Sequence, residues 1–145
     1  MKKSFSLIEV LVFITILSLF FIAAMTVATY SLKNMKSAEY KILASHLAEQ
    51  GMEWVQSEKQ SNWNQFTARD LGGGTTYCLK NLNWNSPSAC PDYSLGTPAI
   101  FQREVTVTNQ AGTPVTSVDV EVDVSWFEQS NKVTVPVKTV FSIWE

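Results

Sequence analysis

The run Val10–Thr29, VLVFITILSLFFIAAMTVAT, constrains this chain more than any other feature. It carries no charge, no Pro and no Gly, and only Thr15, Ser18, Thr26 and Thr29 are polar. About 20 such residues suffice to cross a bilayer core as a helix, the form in which one segment satisfies its own backbone N–H and C=O groups. Lys2 and Lys3 precede the run and Glu9 stands at its mouth. A secretory signal cut near Ala23 and Ala24 is the first alternative. Glu9 gives such a signal nothing, and the helical pattern continues past Ala24, so a retained anchor is the reading adopted.

The helix should extend well beyond the span. No Gly occurs before Gly51 and no Pro before Pro87, so nothing breaks it between Phe5 and the neighbourhood of Ser61. At about 1.5 Å per residue this is a rod of roughly 86 Å. Its first half, 5–29, is apolar all round, and 30–61 becomes amphipathic. Tyr40, Leu43, Leu47, Gly51 and Trp54 or Val55 recur at helical spacing, with Ala44, Ala48 and Met52 beside them. Lys41, Ser45, Glu49, Glu53 and Lys59 are assigned to the solvated side. The charge balance, 11 Lys+Arg against 13 Asp+Glu, offers no basic stripe for nucleic acid. Lys2 and Lys3 before the span are matched by Lys33, Lys36 and Lys41 after it, so charge alone does not orient the anchor.

Residues 62–99 are rich in Asn, Ser, Gly and Pro and read as a loop region with one short strand at Thr75–Leu79. Gly72, Gly73 and Gly74 mark a sharp turn; a phosphate-cradling loop would need a following Lys-Ser/Thr, which is absent. Cys78 and Cys90 fit no CxxC redox or zinc pattern. In an oxidising compartment they can pair, for about 3 kcal/mol; in the cytosol they would be two thiols. An extracytoplasmic C-terminal domain is the simpler account. Residues 100–145 alternate. Phe101, Arg103, Val105 and Val107 share one face; Val118, Val120, Val122, Val124 and Trp126 share another, opposed by Asp119, Glu121, Asp123 and Ser125. Val133, Val135, Val137, Phe141 and Ile143 form a third row. Period two with turn residues between the runs predicts an antiparallel meander, its apolar face covered by the amphipathic half of the helix. Pro136 forgoes a ladder bond and places its strand at an edge. The expected fold is α+β: a long N-terminal helix packed on a small antiparallel sheet.

The start of the chain carries a resemblance. Ser4-Phe5-Ser6-Leu7-Ile8-Glu9-Val10 resembles the cleavage and methylation signal of type IV prepilins and pseudopilins: a short basic leader, Gly, Phe, Ser or Thr, Leu, Ile or Val, Glu, then a long apolar helix. The resemblance implies that residues 1–4 are a leader cut between Ser4 and Phe5 by prepilin peptidase, and that Phe5 is then N-methylated. Ser4 stands where the family prefers Gly, and Thr26 where it often carries a Pro. Leu47-Ala48-Glu49-Gln50-Gly51-Met52-Glu53-Trp54-Val55, with Trp63 following, is similar to a stretch of minor pilins. Glu9, a carboxylate at the edge of an apolar helix, persists where it is paired. Its implied partner is the amine of Phe5, in the same or a neighbouring subunit, which would set the axial register of stacked helices. The simpler reading places Glu9 in the headgroup layer.

No nucleophile–base set emerges, so no enzyme is expected, and no cofactor. His46, Glu49 and Glu53 lie at neighbouring helix positions but lack a fourth ligand and read as a solvated face. Asp119, Glu121 and Asp123 have oxygens suited to calcium, yet read as the outer face of a strand. Trp54, Trp63, Trp84, Trp126 and Trp144 suit sugar adhesion, but three or more should fill the core. The expected function is therefore assembly, as a minor pilin of a type IV pilus or related filament. The expected partners are other pilin or pseudopilin subunits, prepilin peptidase and membrane lipid, and the expected place is the inner membrane before assembly. A pseudopilin of type II secretion is the rival within the class. A single-pass anchored binding or sensor domain is the rival outside it, needing neither leader cleavage nor Glu9 pairing.

Overall fold

A computed structural model describes residues 6–85 and 87–144. The elements run α1 (Leu7–Ser61), α2 (Trp63–Thr67), β1 (Thr75–Cys78), β2 (Gln102–Asn109), β3 (Ser117–Glu128) and β4 (Asn131–Ser142). The strands form one antiparallel sheet in the order β1-β2-β3-β4, with α1 as the long helix of the expected α+β layout. The chain divides into two compact units, residues 1–39 and 40–145.

In the first unit α1 has no Pro or Gly to interrupt it. Thr26, where a helix-breaking Pro would sit, is helical and donates its hydroxyl to the carbonyls of Ile22 (2.9 Å) and Ala23 (2.8 Å). Thr15, Ser18 and Thr29 likewise bond carbonyls three or four residues back. The polar groups of the apolar run are thus satisfied inside the helix, as a hydrocarbon setting requires. The side chains of Leu7–Leu32 are exposed throughout, Phe20 to 67% and Ile22 to 63%. One helix among the described residues, α1, is long and apolar enough to cross a membrane.

In the second unit the alternation of the sequence becomes a two-faced sheet. Register partners Tyr77, Val105, Val122 and Val137 line one inward row. Val105, Val107, Val118, Val120, Val122 and Val124 are buried at 1% exposure or less, each contributing about 1.5–3 kcal/mol. The helix residues buried against this core are Ala44, Ala48, Gly51, Val55 and Lys59. The centre of the amphipathic stripe is therefore its small residues, while Tyr40, Leu43 and Leu47 flank it partly buried. At Gly51 a Cβ would stand 2.9 Å from Arg103 Cδ and 3.0 Å from Val122 Cγ1. The helix approaches the sheet there as closely as a bare Cα permits.

Four features differ from the expectation. Lys59, assigned to the solvated side, is 8% exposed with its ammonium 5.3 Å from the Phe141 ring centre. It lies four residues after Val55 on the docking face, and its alkyl stem can pack there like an apolar residue. Ile143 is 41% exposed and lies outside β4, which ends at Ser142, so the third apolar row stops at Phe141. The loop region contains α2, started by Asn62, whose side chain accepts from Gln65 N at 3.0 Å. The short strand, Thr75–Cys78, joins the meander as a fourth member beside β2. Pro136 is on β4, paired only with β3, as its missing N–H requires.

Candidate functional site

Ser4 and Phe5, the proposed cleavage and methylation pair, lie outside the described residues. Glu9 is in the first turn of α1, where the exposed backbone N–H groups favour a carboxylate. Its own N–H bonds Ser6 O at 3.0 Å, and its side chain is exposed beside the apolar run. The described residues of the first unit thus present a helix with one carboxylate at its start and uncovered apolar side chains after it.

Cys78 and Cys90 are disulfide-bonded, with Cα atoms 4.7 Å apart. The bond ties the end of β1 to the segment that returns toward β2, and its surroundings are built from β2. Glu104, register partner of Cys78, accepts from Cys90 N at 2.7 Å. Arg103, next in sequence, points the other way and is 2% exposed. Its Nε and Nη2 donate to Leu79 O (3.2 and 3.0 Å), and its Nη1 donates to Leu47 O (2.8 Å) and Gln50 Oε1 (2.9 Å). Burial pushes its pKa down. One guanidinium fork therefore joins β2, the residue after Cys78, and α1. Arg103 stands in an alternating row between Phe101 and Val105, so a charge at an apolar position was the signal available in the sequence.

The glycine turn is held by Asp70. Its Oδ1 accepts from Gly72 N (3.0 Å) and Gly74 N (3.1 Å), and its Oδ2 from Asn109 N (2.8 Å). Gly72, Gly73 and Gly74 have φ of 125°, 79° and 99°, a run that favours residues without a Cβ. Two of the amides that would face a phosphate already serve this carboxylate. Burial pushes the Asp70 pKa up, but the bonds from Asn109, Gly72, Gly74 and Thr75 outweigh it and leave it below the ordinary value.

Four tryptophans serve the core. Trp126 is fully buried, and Trp54, Trp63 and Trp84 pack partly buried against the core cluster. Trp84 comes from the loop region, with ring centres 4.9 Å from Trp54 and 5.1 Å from Tyr77, and its Nε1 donates to Glu58 Oε2 at 2.8 Å. Trp144 is 87% exposed. His46 lies 3.7 Å from Glu49 on an exposed helix face, and no group of three metal-ligating side chains occurs among the described residues. Asp119 and Glu121 line an open outer groove with Thr106, Thr108 and Lys138. Lys138 pairs with Glu121 at 2.8 Å. Asp123, on the same outer row, has its pKa raised by burial and by Glu121, with Glu104 adding to the effect and Lys138 and Lys132 opposing it.

No family model matches the chain, and neither a curated protein nor a solved structure matches it.

Proposed function

We propose that this chain is a structural subunit of a type IV pilus or related filament, a minor pilin, held in the membrane by α1 before assembly. The observation that carries the proposal is the contrast along α1. Its first part leaves every apolar side chain uncovered and bears one carboxylate at its start, while its second part is docked on a folded sheet. A surface of that kind has to be covered by lipid or by like helices, since contiguous exposed apolar patches of this extent mark an interaction surface. Phe5 and Glu9, in the order of the prepilin signal, favour like helices as the final cover. Removal of Met1–Ser4 creates a cationic amine at Phe5, four residues before Glu9, and an ion pair in hydrocarbon fixes the register in which two helices can stack.

The test is intact-mass analysis of the chain produced with a prepilin peptidase. The expected product lacks Met1–Ser4 and carries one methyl on Phe5. A full-length chain overturns the processing and with it this function, leaving an anchored extracytoplasmic domain; a chain cut near Ala23 overturns the function and the anchor together. A second arm uses Glu9→Ala, which should insert in the membrane normally and enter filaments at least tenfold less often. Unchanged incorporation removes Glu9 from the mechanism.

A further inference from the structure

We propose that the Cys78–Cys90 disulfide controls the docking of the amphipathic half of α1 on the sheet, with Arg103 carrying the coupling between them.

The geometry supplies the chain of contacts. Arg103 is buried, and the acceptors of its four hydrogen bonds are neutral: the Leu79 carbonyl twice, the Leu47 carbonyl and the Gln50 side-chain amide. A buried cation is tolerated only while its donors are satisfied. Half of those bonds go to Leu79, the residue that follows Cys78. Leu79 is itself held by its N–H on the Arg103 carbonyl at 2.9 Å, beyond the last residue of β1. The disulfide closes the loop just outside, and Glu104 anchors Cys90 through its backbone N–H. On the other side the same guanidinium meets α1 beside Gly51, where an added Cβ would stand 2.9 Å from Arg103 Cδ. Loosening Leu79 therefore strands a charge inside the helix–sheet interface, and the helix must lift to hydrate it.

The chemistry of opening is a two-electron exchange. A dithiol reductant attacks one sulfur through its thiolate, the Cys78–Cys90 bond breaks, and a mixed disulfide forms. The second thiol of the reductant then releases it as a cyclic disulfide, leaving Cys78 and Cys90 as thiols with the two protons the dithiol lost. The cyclic disulfide of the reductant, in excess, reverses the exchange: it takes the two electrons and two protons back from Cys78 and Cys90, and Leu79 is held again beside Arg103.

The experiment measures amide hydrogen exchange across residues 44–55 in the full chain in detergent micelles, before and after dithiothreitol. Reduction is expected to speed exchange there at least tenfold, while exchange at β3 changes less than threefold. Arg103→Met removes the charge that would be stranded, so reduction should change its helix exchange less than threefold. Arg103→Lys keeps the charge but cannot span both sets of acceptors, so its helix should exchange fast in both redox states. Wild-type protection that survives reduction overturns the proposal. A full redox response in Arg103→Met also overturns it, by assigning the effect to the disulfide without the arginine. If Arg103→Met has lost its near-ultraviolet circular dichroism, Arg103→Lys decides: the wild-type redox response in that variant overturns the coupling, and uniformly fast exchange with retained β3 protection supports it.

Discussion

The two parts of α1 share a backbone conformation and almost nothing else. Between Leu7 and Leu32 large apolar side chains point in every direction and none is buried. Between Tyr40 and Ser61 the docking face is made of Ala44, Ala48, Gly51 and Val55 with the stem of Lys59 at its end, and the larger Tyr40, Leu43 and Leu47 stand at its flanks. The lesson is that hydrophobicity and docking to the chain's own sheet are separable. The part of the helix that packs on the chain's own sheet does so through small residues that admit a close approach. A helix meant for lipid or for other helices can be bulky all round.

Substitutions that add volume should expose this contrast most clearly. Gly51→Leu is expected to destabilise the second unit by about 3 kcal/mol, because even a Cβ meets Arg103 and Val122. Ala23→Leu, which also adds volume but in the first part, should alter the unfolding free energy by less than about 0.5 kcal/mol. Urea unfolding of the full chain in micelles, followed by near-ultraviolet circular dichroism, measures both, and equal effects would dissolve the distinction.

Acid sharpens the comparison, because two shifted carboxylates of the second unit act with opposite sign. Asp70 has a lowered pKa, so its contribution is fully present above the unfolded value near 3.9 and is lost as pH falls through the folded value. Asp70→Asn should cost about 1–2 kcal/mol at pH 7, with the difference from wild type narrowing below about pH 3.9. Asp123 has a raised pKa, so its ionised form is a penalty above the folded value that disappears below the unfolded one. Asp123→Asn should therefore stabilise at pH 7, by up to about 1 kcal/mol, and the gain should vanish in acid. Unfolding midpoints between pH 3 and pH 7 check both signs. The smallest effect is expected in the β3–β4 turn. Gln129 has φ of 60°, and Gln129→Gly should gain about 0.5 kcal/mol in the same unfolding assay.

Much of the fold was legible because its signals are periodic. Val118, Val120, Val122, Val124 and Trp126 announced a strand and the face it buries, and the placement of Pro136 announced an edge. The disulfide was one of two readings of Cys78 and Cys90, and the bonded one is found. What periodicity could not convey were individual bargains between charge and packing. Lys59 is charged but four-carbon-stemmed, and nothing in one sequence tells which part governs. Arg103 could be placed on the inward row, but its acceptors at Leu47, Gln50 and Leu79 come from distant segments whose meeting depends on the whole fold. Residue 62 read as loop, yet its Asn side chain caps the first turn of α2. Ile143 continued an alternation that the end of the sheet cut short. The segment Leu47–Val55, read for its likeness to minor pilins, has a packing role of its own through Gly51 and Gln50.

Pro136 has a consequence for how copies of this chain behave when crowded. It sits within β4, so its nitrogen must face the open side of the sheet, away from β3. A neighbouring strand that tried to extend the sheet would find no donor at the middle of that edge, and Lys132 and Lys138 at flanking positions of the same parity. Proline and lysine on an edge are what keep sheets from adding strands end over end toward amyloid. At the other border β1 offers only Thr75–Cys78 before the disulfide turns the chain away. The sheet is thus closed to uncontrolled growth on both sides, and any ordered polymer these chains build must be joined elsewhere.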